Sequence, residues 1–361
     1  MTGKKILCLV IHSLQVGGME RVVSELAGYF CKKSNIELHL LLYGRKPEIF
    51  YPVPENLIIH KPEVVFNNHL RFFYTIGRLN FLRKTIKKIK PDSILSFGEY
   101  WNSFVLLALY GLNYPTYISD RCSPQKKFGI IHQSLRKWLY PKAKGIIAQT
   151  EKAKDVYEKQ HLNRNITVIG NPIHKINNYD TNKEKIVLTV GRLISTKNHD
   201  KLIDIFCKIN LPDWKFSIIG GNALKEDNLT KLNMLISEYK AESKVLITGF
   251  QSNLDIIYKK CSIFVFASES EGFPNVVGEA MSAGLPVIAF DCMAGPSEMI
   301  TDGENGYLVK LHDFETFKER LELLMNDAEL REIMGLKAKE SIKKFYIEYI
   351  GDKYYKFIFG N

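Results

Sequence analysis

Five short runs rich in branched apolar residues, at 6–11, 38–42, 93–97, 116–119 and 145–149, alternate with longer stretches whose apolar residues return every three or four positions. The first pattern suits strands buried on both faces, and the second suits helices with one buried stripe. Their alternation predicts a parallel sheet wrapped by helices, because parallel strands need a crossover between them. Residues 171–185, NPIHKINNYDTNKEK, break the rhythm with Pro, Asn and mixed charge, as a link between domains does. Strand-like runs resume at 186–190, 215–219, 245–248, 263–267 and 286–290. The expectation is two doubly wound α/β domains, 1–170 and 171–341, facing across a cleft. The segment near 342–361, rich in Tyr, Phe and Ile, could return as a helix to the first domain. Ligands of open α/β sheets gather outside the carboxyl ends of strands, so chemistry is sought in the loops that follow strands.

The length of 361 residues suits two domains, and 45% hydrophobic with 25% charged residues is ordinary for globular chains, so disorder is expected only at the ends. Cys8, Cys31, Cys122, Cys207, Cys261 and Cys292 form no C-x-x-C pair and read as reduced residues of a cytoplasmic protein. Lys4 and Lys5 followed by the apolar run 6–11 imitate a signal peptide, but the run is short and lacks a small-residue cleavage site, so a first strand is expected. Nothing is long enough to span a bilayer. A net charge of +11 calls for an anionic partner. Residues 71–90 carry seven basic and no acidic residues, while Ile76, Leu79, Leu82, Ile86 and Ile89 recur at helical spacing. This basic amphipathic helix is either a packed surface helix or a dock for anionic lipid headgroups. No zinc spacing, RNA-binding aromatic motif or helix-turn-helix signature supports nucleic acid as the partner.

Two loops carry the candidate chemistry. The run 186–190 leads into Gly191 and Arg192 and then Lys197, placing two cations at a strand's carboxyl end. Arg can grip phosphate oxygens bidentately while Lys follows as a mobile point charge; the bland alternative is a solvated turn. The run 263–267 leads into Glu269-Ser270-Glu271-Gly272-Phe273-Pro274-Asn275 and on to Glu279. Pro274 suits a first helical position, so a helix is expected to begin there, its N-terminus and the amides of Gly272 and Phe273 forming donors for hydroxyls or phosphate. Glu279 has Val276 and Ala283 as helical neighbours, so its carboxylate leaves an apolar face and needs hydrogen-bond donors such as a ribose diol. Gly220 and Phe250 end further strands and are either donor contacts or turns.

These pieces, together with Gly17-Gly18-Met19-Glu20-Arg21 after the first run and the seven-residue gap between Glu271 and Glu279, resemble the retaining glycosyltransferases of family 4, with the GT-B fold, over nearly the whole chain. The resemblance implies a metal-independent hexosyltransferase without cofactor, with an N-terminal acceptor domain and a C-terminal donor domain. It implies that Arg192 and Lys197 hold the donor diphosphate, Glu279 the ribose, Glu271 and the Gly272 to Asn275 backbone the sugar, and that Gly17, Gly18, Gly191, Gly220 and Phe250 approach the donor. No Asp-x-Asp metal motif occurs. Where several family members carry a His, this chain reads Ser119-Asp120-Arg121, so a general base is absent there, and Asp120, Arg121, Glu99 and Asn102 become the acceptor-side candidates. The likeness is greatest to bacterial enzymes that build capsule, O-antigen or lipid-linked glycans. It implies a UDP-sugar donor, such as UDP-GalNAc, UDP-Gal or UDP-GlcNAc, a lipid-linked saccharide acceptor, and a peripheral place on the inner face of the cytoplasmic membrane. Oligomeric state is not readable, and monomer is the default. A non-catalytic donor-binding subunit and a nucleotide-sugar epimerase are the alternatives.

Overall fold

A computed structural model describes residues 3–44, 48–63, 70–177, 182–223 and 226–360; residues 178–181 of the expected link lie outside the described residues. The chain separates into two compact units, Met1–Pro172 with Ile347–Asn361, and Ile173–Tyr346. Each is built on one parallel sheet.

The first unit's sheet comprises β1 (Lys5–Ile11), β2 (Ile36–Leu42), β3 (Ile58–His60), β4 (Ser93–Phe97), β5 (Thr116–Ser119), β6 (Gly145–Ala148) and β7 (Ile166–Val168) in the order β3-β2-β1-β4-β5-β6-β7. The KILCLVI sequence of β1 explains its central place, since a strand covered by helices on both faces has no polar side to show water. The crossovers contain α1 (Gly18–Cys31), α2 (Arg71–Ile89), α3 (Glu99–Ala108), α4 (Ile130–Leu139) and α5 (Glu151–Lys159). At the start of α5 the Thr150 hydroxyl accepts the Ala153 amide at 3.1 Å, satisfying one of the turn's orphan donors.

The second unit's sheet comprises β8 (Ile186–Val190), β9 (Lys215–Ile219), β10 (Val245–Ile247), β11 (Ile263–Phe266), β12 (Val287–Phe290) and β13 (Tyr307–Val309) in the order β10-β9-β8-β11-β12-β13. Around it lie α6 (His199–Lys208), α7 (Asn228–Glu238), α8 (Leu254–Lys260), α9 (Asn275–Ser282), α10 (Pro296–Met299), α11 (Phe314–Asn326) and α12 (Ala328–Ser341). Asp227, Asp313 and Asp327 cap α7, α11 and α12 by accepting the amides of Thr230, Thr316 and Leu330. The last helix, α13 (Ile347–Phe359), belongs to the first unit, where Gly351 passes so close to the Tyr29 ring that a Cβ would come within 2.5 Å of it.

In each sheet the winding reverses once, between β1 and β4 and between β8 and β11. Such a switch point opens a crevice outside the strand ends, because the two loops there run to opposite sides.

Two details differ from the sequence pattern. The strands β3, β7 and β13 were not expected: each has three residues and lies at a sheet edge, too short to show a period. Along α2, Leu82 and Ile86 are buried but Ile76 is exposed, while Arg78 is buried. Positions 78, 82 and 86 are four apart and share one side of the helix, and the arginine stem can cover apolar surface there. Among the described residues no helix is long and apolar enough to cross a membrane, and all six cysteines are free.

Candidate functional site

The loops after β8 and β11 are clipped together at the second unit's switch point. The Glu269 amide donates to Thr196 O at 2.9 Å, and Asn198 Nδ2 donates to Ala267 O at 2.9 Å and to Glu269 Oε1 at 3.1 Å. This framework brings the Lys197 ammonium onto Glu271 Oε1, which also accepts from the Ser268 hydroxyl at 2.8 Å. The pair is largely withdrawn from water, its side chains 16% and 18% exposed, so its attraction is less screened than that of a surface pair. Lys197 Nζ also lies 4.9 Å from the centroid of the Phe266 ring. Arg192, by contrast, is exposed and pairs with no carboxylate among the described residues.

His199 fixes the Arg192 backbone. Its Nε2 faces Arg192 O at 3.3 Å, and because a carbonyl only accepts, that nitrogen carries the hydrogen. Burial lowers the imidazole to about 4, with Lys197 adding to the shift and the Arg192 carbonyl opposing it. His199 is therefore neutral at pH 7 and donates to the loop without adding charge.

Gly191 and Gly220 meet backbone to backbone: a Cβ on Gly220 would fall 1.8 Å from Gly191 O. The Phe250 side chain is 77% exposed, with its ring packed beside Gly221, which leaves an aromatic face in solvent at a strand end. Helix α9 begins at Asn275 with Pro274 as its N-cap, one position earlier than the first-turn place its ring suggested. The amides of Gly272 and Phe273 donate to no group among the described residues. Phe273 itself is buried against Phe345, 5.6 Å between centroids, anchoring the loop from below. Glu279, about 6 Å further along the axis at 1.5 Å per residue, is 4% exposed and accepts from the Tyr258 hydroxyl at 3.2 Å.

In the first unit, Gly17 precedes α1 as its N-cap and Gly18 is the helix's first residue. The loop after β5 is tied to the start of α3: Glu99 Oε1 accepts from Lys126 at 3.3 Å and Oε2 from the Arg121 amide at 3.3 Å. Asp120 is 2% exposed and fully engaged. Its Oδ1 accepts from Asn102 Nδ2 and from the Tyr140 hydroxyl, each at 2.8 Å, and its Oδ2 from Arg136 at 2.6 Å. Arg121 reaches away from that cluster to Asn171 Oδ1 and the Tyr354 hydroxyl, its guanidinium 5.1 Å from the centroid of Phe97.

The family model "Glycosyl transferases group 1" matches residues 171–341, and "Glycosyltransferase Family 4" matches residues 16–175. A Campylobacter jejuni N-acetylgalactosamine-N,N'-diacetylbacillosaminyl-diphospho-undecaprenol 4-alpha-N-acetylgalactosaminyltransferase is 30% identical over 94% of this chain and 95% of its own. The chain belongs to glycosyltransferase family 4. The amylovoran biosynthesis glycosyltransferase AmsD of Erwinia amylovora is 29% identical over 91% of this chain and 92% of its own. Among solved structures, Anabaena HepE in complex with UDP superposes with a TM-score of 0.78 at 18% identity, covering 98% of each chain. The lipopolysaccharide outer core galactosyltransferase WaaB does so with 0.78 at 21%, covering 98% of each. The fold is GT-B, and the protein is an enzyme that transfers glycosyl groups.

Sequence reasoning placed Lys197 and Glu271 in one site of this glycosyltransferase but not in direct contact. Ser268, three residues before Glu271, could have been suspected from its place in the same loop. Tyr258 and Arg136 carried no such sign, since their partners are distant in sequence, whereas His199 lies only seven residues after Arg192. A cavity of about 690 Å³ adjoins the loops after β8 and β11 on the α7 side, walled by Thr196, His199, Asn228, Lys231 and Glu269, and it excludes Arg192, Lys197 and Glu271.

Proposed function

We propose that this glycosyltransferase moves a hexose or N-acetylhexosamine from a UDP-sugar to a lipid-linked saccharide, with retention of the anomeric configuration and without a metal ion. The observation that carries the reading is the junction of Lys197 with Glu271 beside the unpaired Arg192 at a switch point. A nucleotide-sugar presents a diphosphate next to sugar hydroxyls, and this junction presents cations next to a carboxylate. The bond between the anomeric carbon and the diphosphate oxygen breaks, leaving negative charge that Arg192, Lys197 and the Gly272 and Phe273 amides are placed to stabilise. The acceptor hydroxyl joins the anomeric carbon on the face being vacated and passes its proton to the departing diphosphate, so no enzyme nucleophile is needed.

Glu271 then accepts donor-sugar hydroxyls, Glu279 the ribose diol, and Phe250 offers its exposed face to the base. Gly17, Gly18, Gly191 and Gly220 let backbone approach the donor. On the acceptor side, Glu99 and Asn102 of α3 and Asp120 and Arg121 of the loop after β5 form one hydrogen-bonded cluster that faces the acceptor. The relatives named above act on a diphospho-undecaprenol saccharide and in amylovoran biosynthesis, which supports a cell-surface glycan acceptor. Helix α2, with exposed Arg71, Lys84, Lys87, Lys88 and Lys90 and no acidic residue, supports docking on an anionic cytoplasmic leaflet.

The test is an assay with UDP-, GDP- and ADP-sugars and lipid-linked acceptors in EDTA. We expect UDP release and an acceptor lengthened by one α-linked residue from an α-linked donor. Activity abolished by EDTA and restored by Mg²⁺ would sink metal independence, and a β-linked product would sink retention.

A further inference from the structure

The opposite end of the second sheet's strands holds a cavity of about 520 Å³ that the transfer chemistry leaves unused. Its walls come from residues that precede strands: Lys183 and Lys185 before β8, Ser262 before β11 and Gly284 before β12. Arg192 and Glu271 follow β8 and β11, so in a parallel sheet the cavity and the donor loops lie at opposite strand ends, about 17 Å apart across a five-residue strand. The remaining wall is one side of α12, where Arg331, Gly335 and Lys339 are four residues apart. Gly335 lets the helix close on the strand ends, since a Cβ there would stand 2.4 Å from Gly284 O.

The wall is cationic, and two of its cations, Lys183 and Arg331, rest on backbone carbonyls. Although Lys183 is exposed along its stem, its ammonium donates to Gly284 O at 2.8 Å. Arg331 Nη1 donates to Leu324 O at 2.6 Å and Met325 O at 3.1 Å, its guanidinium 5.1 Å from the Trp214 centroid. The Lys339 stem passes 3.8 Å from the place of a Cβ on Gly284, close to Lys183. Three carboxylates act on these cations: Glu332 lines the cavity, Asp327 attracts Arg331, and Asp213 is taken by Lys185 at 3.1 Å. Burial, then repulsion from Lys259, Arg331 and Lys339, opposed by Glu332, lowers the Lys183 ammonium, and burial with Lys339 lowers Lys259. Crowding of like charge is destabilising, and a phosphate dianion offers both opposite charge and acceptors for several N–H groups.

We propose that this cavity is a second anion site, separate from the donor site, that binds a phosphate-bearing ligand through Lys183, Arg331 and Lys339. The ligand is either a soluble phosphate compound or the phosphate headgroup of an anionic lipid. The full chain carrying Arg192→Ala and Lys197→Met removes the donor site's own affinity for diphosphate, which keeps this test independent of the proposed donor reading. Titrated at low salt with inorganic pyrophosphate in a calorimeter, that chain is expected to bind one equivalent. Adding Lys183→Gln and Lys339→Gln is expected to weaken binding at least about tenfold. Should the glutamine pair fold poorly, pyrophosphate protection of Lys183 and Lys339 from acetylation in the unmutated protein gives the same answer. Phosphatidylglycerol vesicle binding that disappears with the glutamine pair identifies a lipid headgroup as the source. Vesicle binding unchanged while pyrophosphate binding is lost identifies a soluble one. Absence of pyrophosphate binding in the Arg192→Ala, Lys197→Met chain, or binding that the glutamine pair leaves unchanged, overturns the proposal.

Discussion

Lys197 and Glu271 neutralise each other across the loops after β8 and β11, so under the proposed donor reading each exchanges its partner when a donor binds. If the ammonium turns to the diphosphate and the carboxylate to the sugar, removing either also leaves the other half-buried without a counter-charge. Lys197→Met is therefore expected to lower kcat/KM by about 10²–10³, the range for losing one group that stabilises transition-state charge. Glu271→Gln should also reduce it, and the double variant should lose less than the product of the two, because the residues touch. Steady-state kinetics of the four proteins decide this, and strictly multiplicative losses would refute the coupling. His199 makes a stability prediction. The folded chain holds it near 4 against 6.5 for the unperturbed group, so between those values the folded state binds fewer protons than the unfolded. Its contribution is complete above about pH 6.5 and is lost as pH falls toward 4, by up to about 3 kcal/mol. His60 and His132, both lowered chiefly by burial, act in the same direction. Urea melts at pH 7.5 and 4.5 should show the loss, and His199→Asn, which can still donate to Arg192 O, should flatten it; an unaltered pH slope would count against this assignment.

At the scale of elements, the interior strands were legible because burial on both faces leaves an unbroken apolar run, as in β1 and β8. β3, β7 and β13 were not, because three edge residues carry no period. Helix α9 shows the same division within one site. The apolar neighbours of Glu279 announced a buried carboxylate, but its partner Tyr258 comes from α8, and no spacing in the sequence encodes that meeting. Asp120 was visible as a carboxylate after a strand, whereas the three side chains that occupy it come from α3, α4 and the turn beyond. Gly295 is explained by packing. Its φ of +134° is one that other residues avoid, and a Cβ would stand 2.0 Å from Pro274 Cδ at the head of α9. Gly295→Ala should cost about 1–3 kcal/mol of stability and, by pushing Pro274, raise the donor KM more than it lowers kcat. Thermal melts and donor titrations test this; a variant with unchanged donor KM would separate Gly295 from the site.

Over the whole molecule, a charge of +11 raises affinity for any anionic surface, so charge alone cannot locate a membrane contact. Helix α2 combines that charge with a second kind of attraction. Phe72 and Phe73 stand 71% and 69% exposed in its first turn, while Lys84, Lys87 and Lys88 are exposed about three to four turns on. The two contributions respond differently to salt, because screening weakens the lysines' attraction to headgroups but leaves aromatic burial in the acyl boundary nearly untouched. At low salt, replacing the three lysines with glutamine should weaken binding to phosphatidylglycerol vesicles by about two powers of ten, at roughly 1 kcal/mol per charge, and flatten the salt dependence. Phe72→Ser with Phe73→Ser should weaken binding at every salt concentration without changing that slope. Vesicle sedimentation across a salt series resolves the two effects. Equal affinity of the unmutated protein for neutral and anionic vesicles would remove the electrostatic half of the argument, and a phenylalanine pair without effect would leave α2 as a basic surface helix with no membrane role.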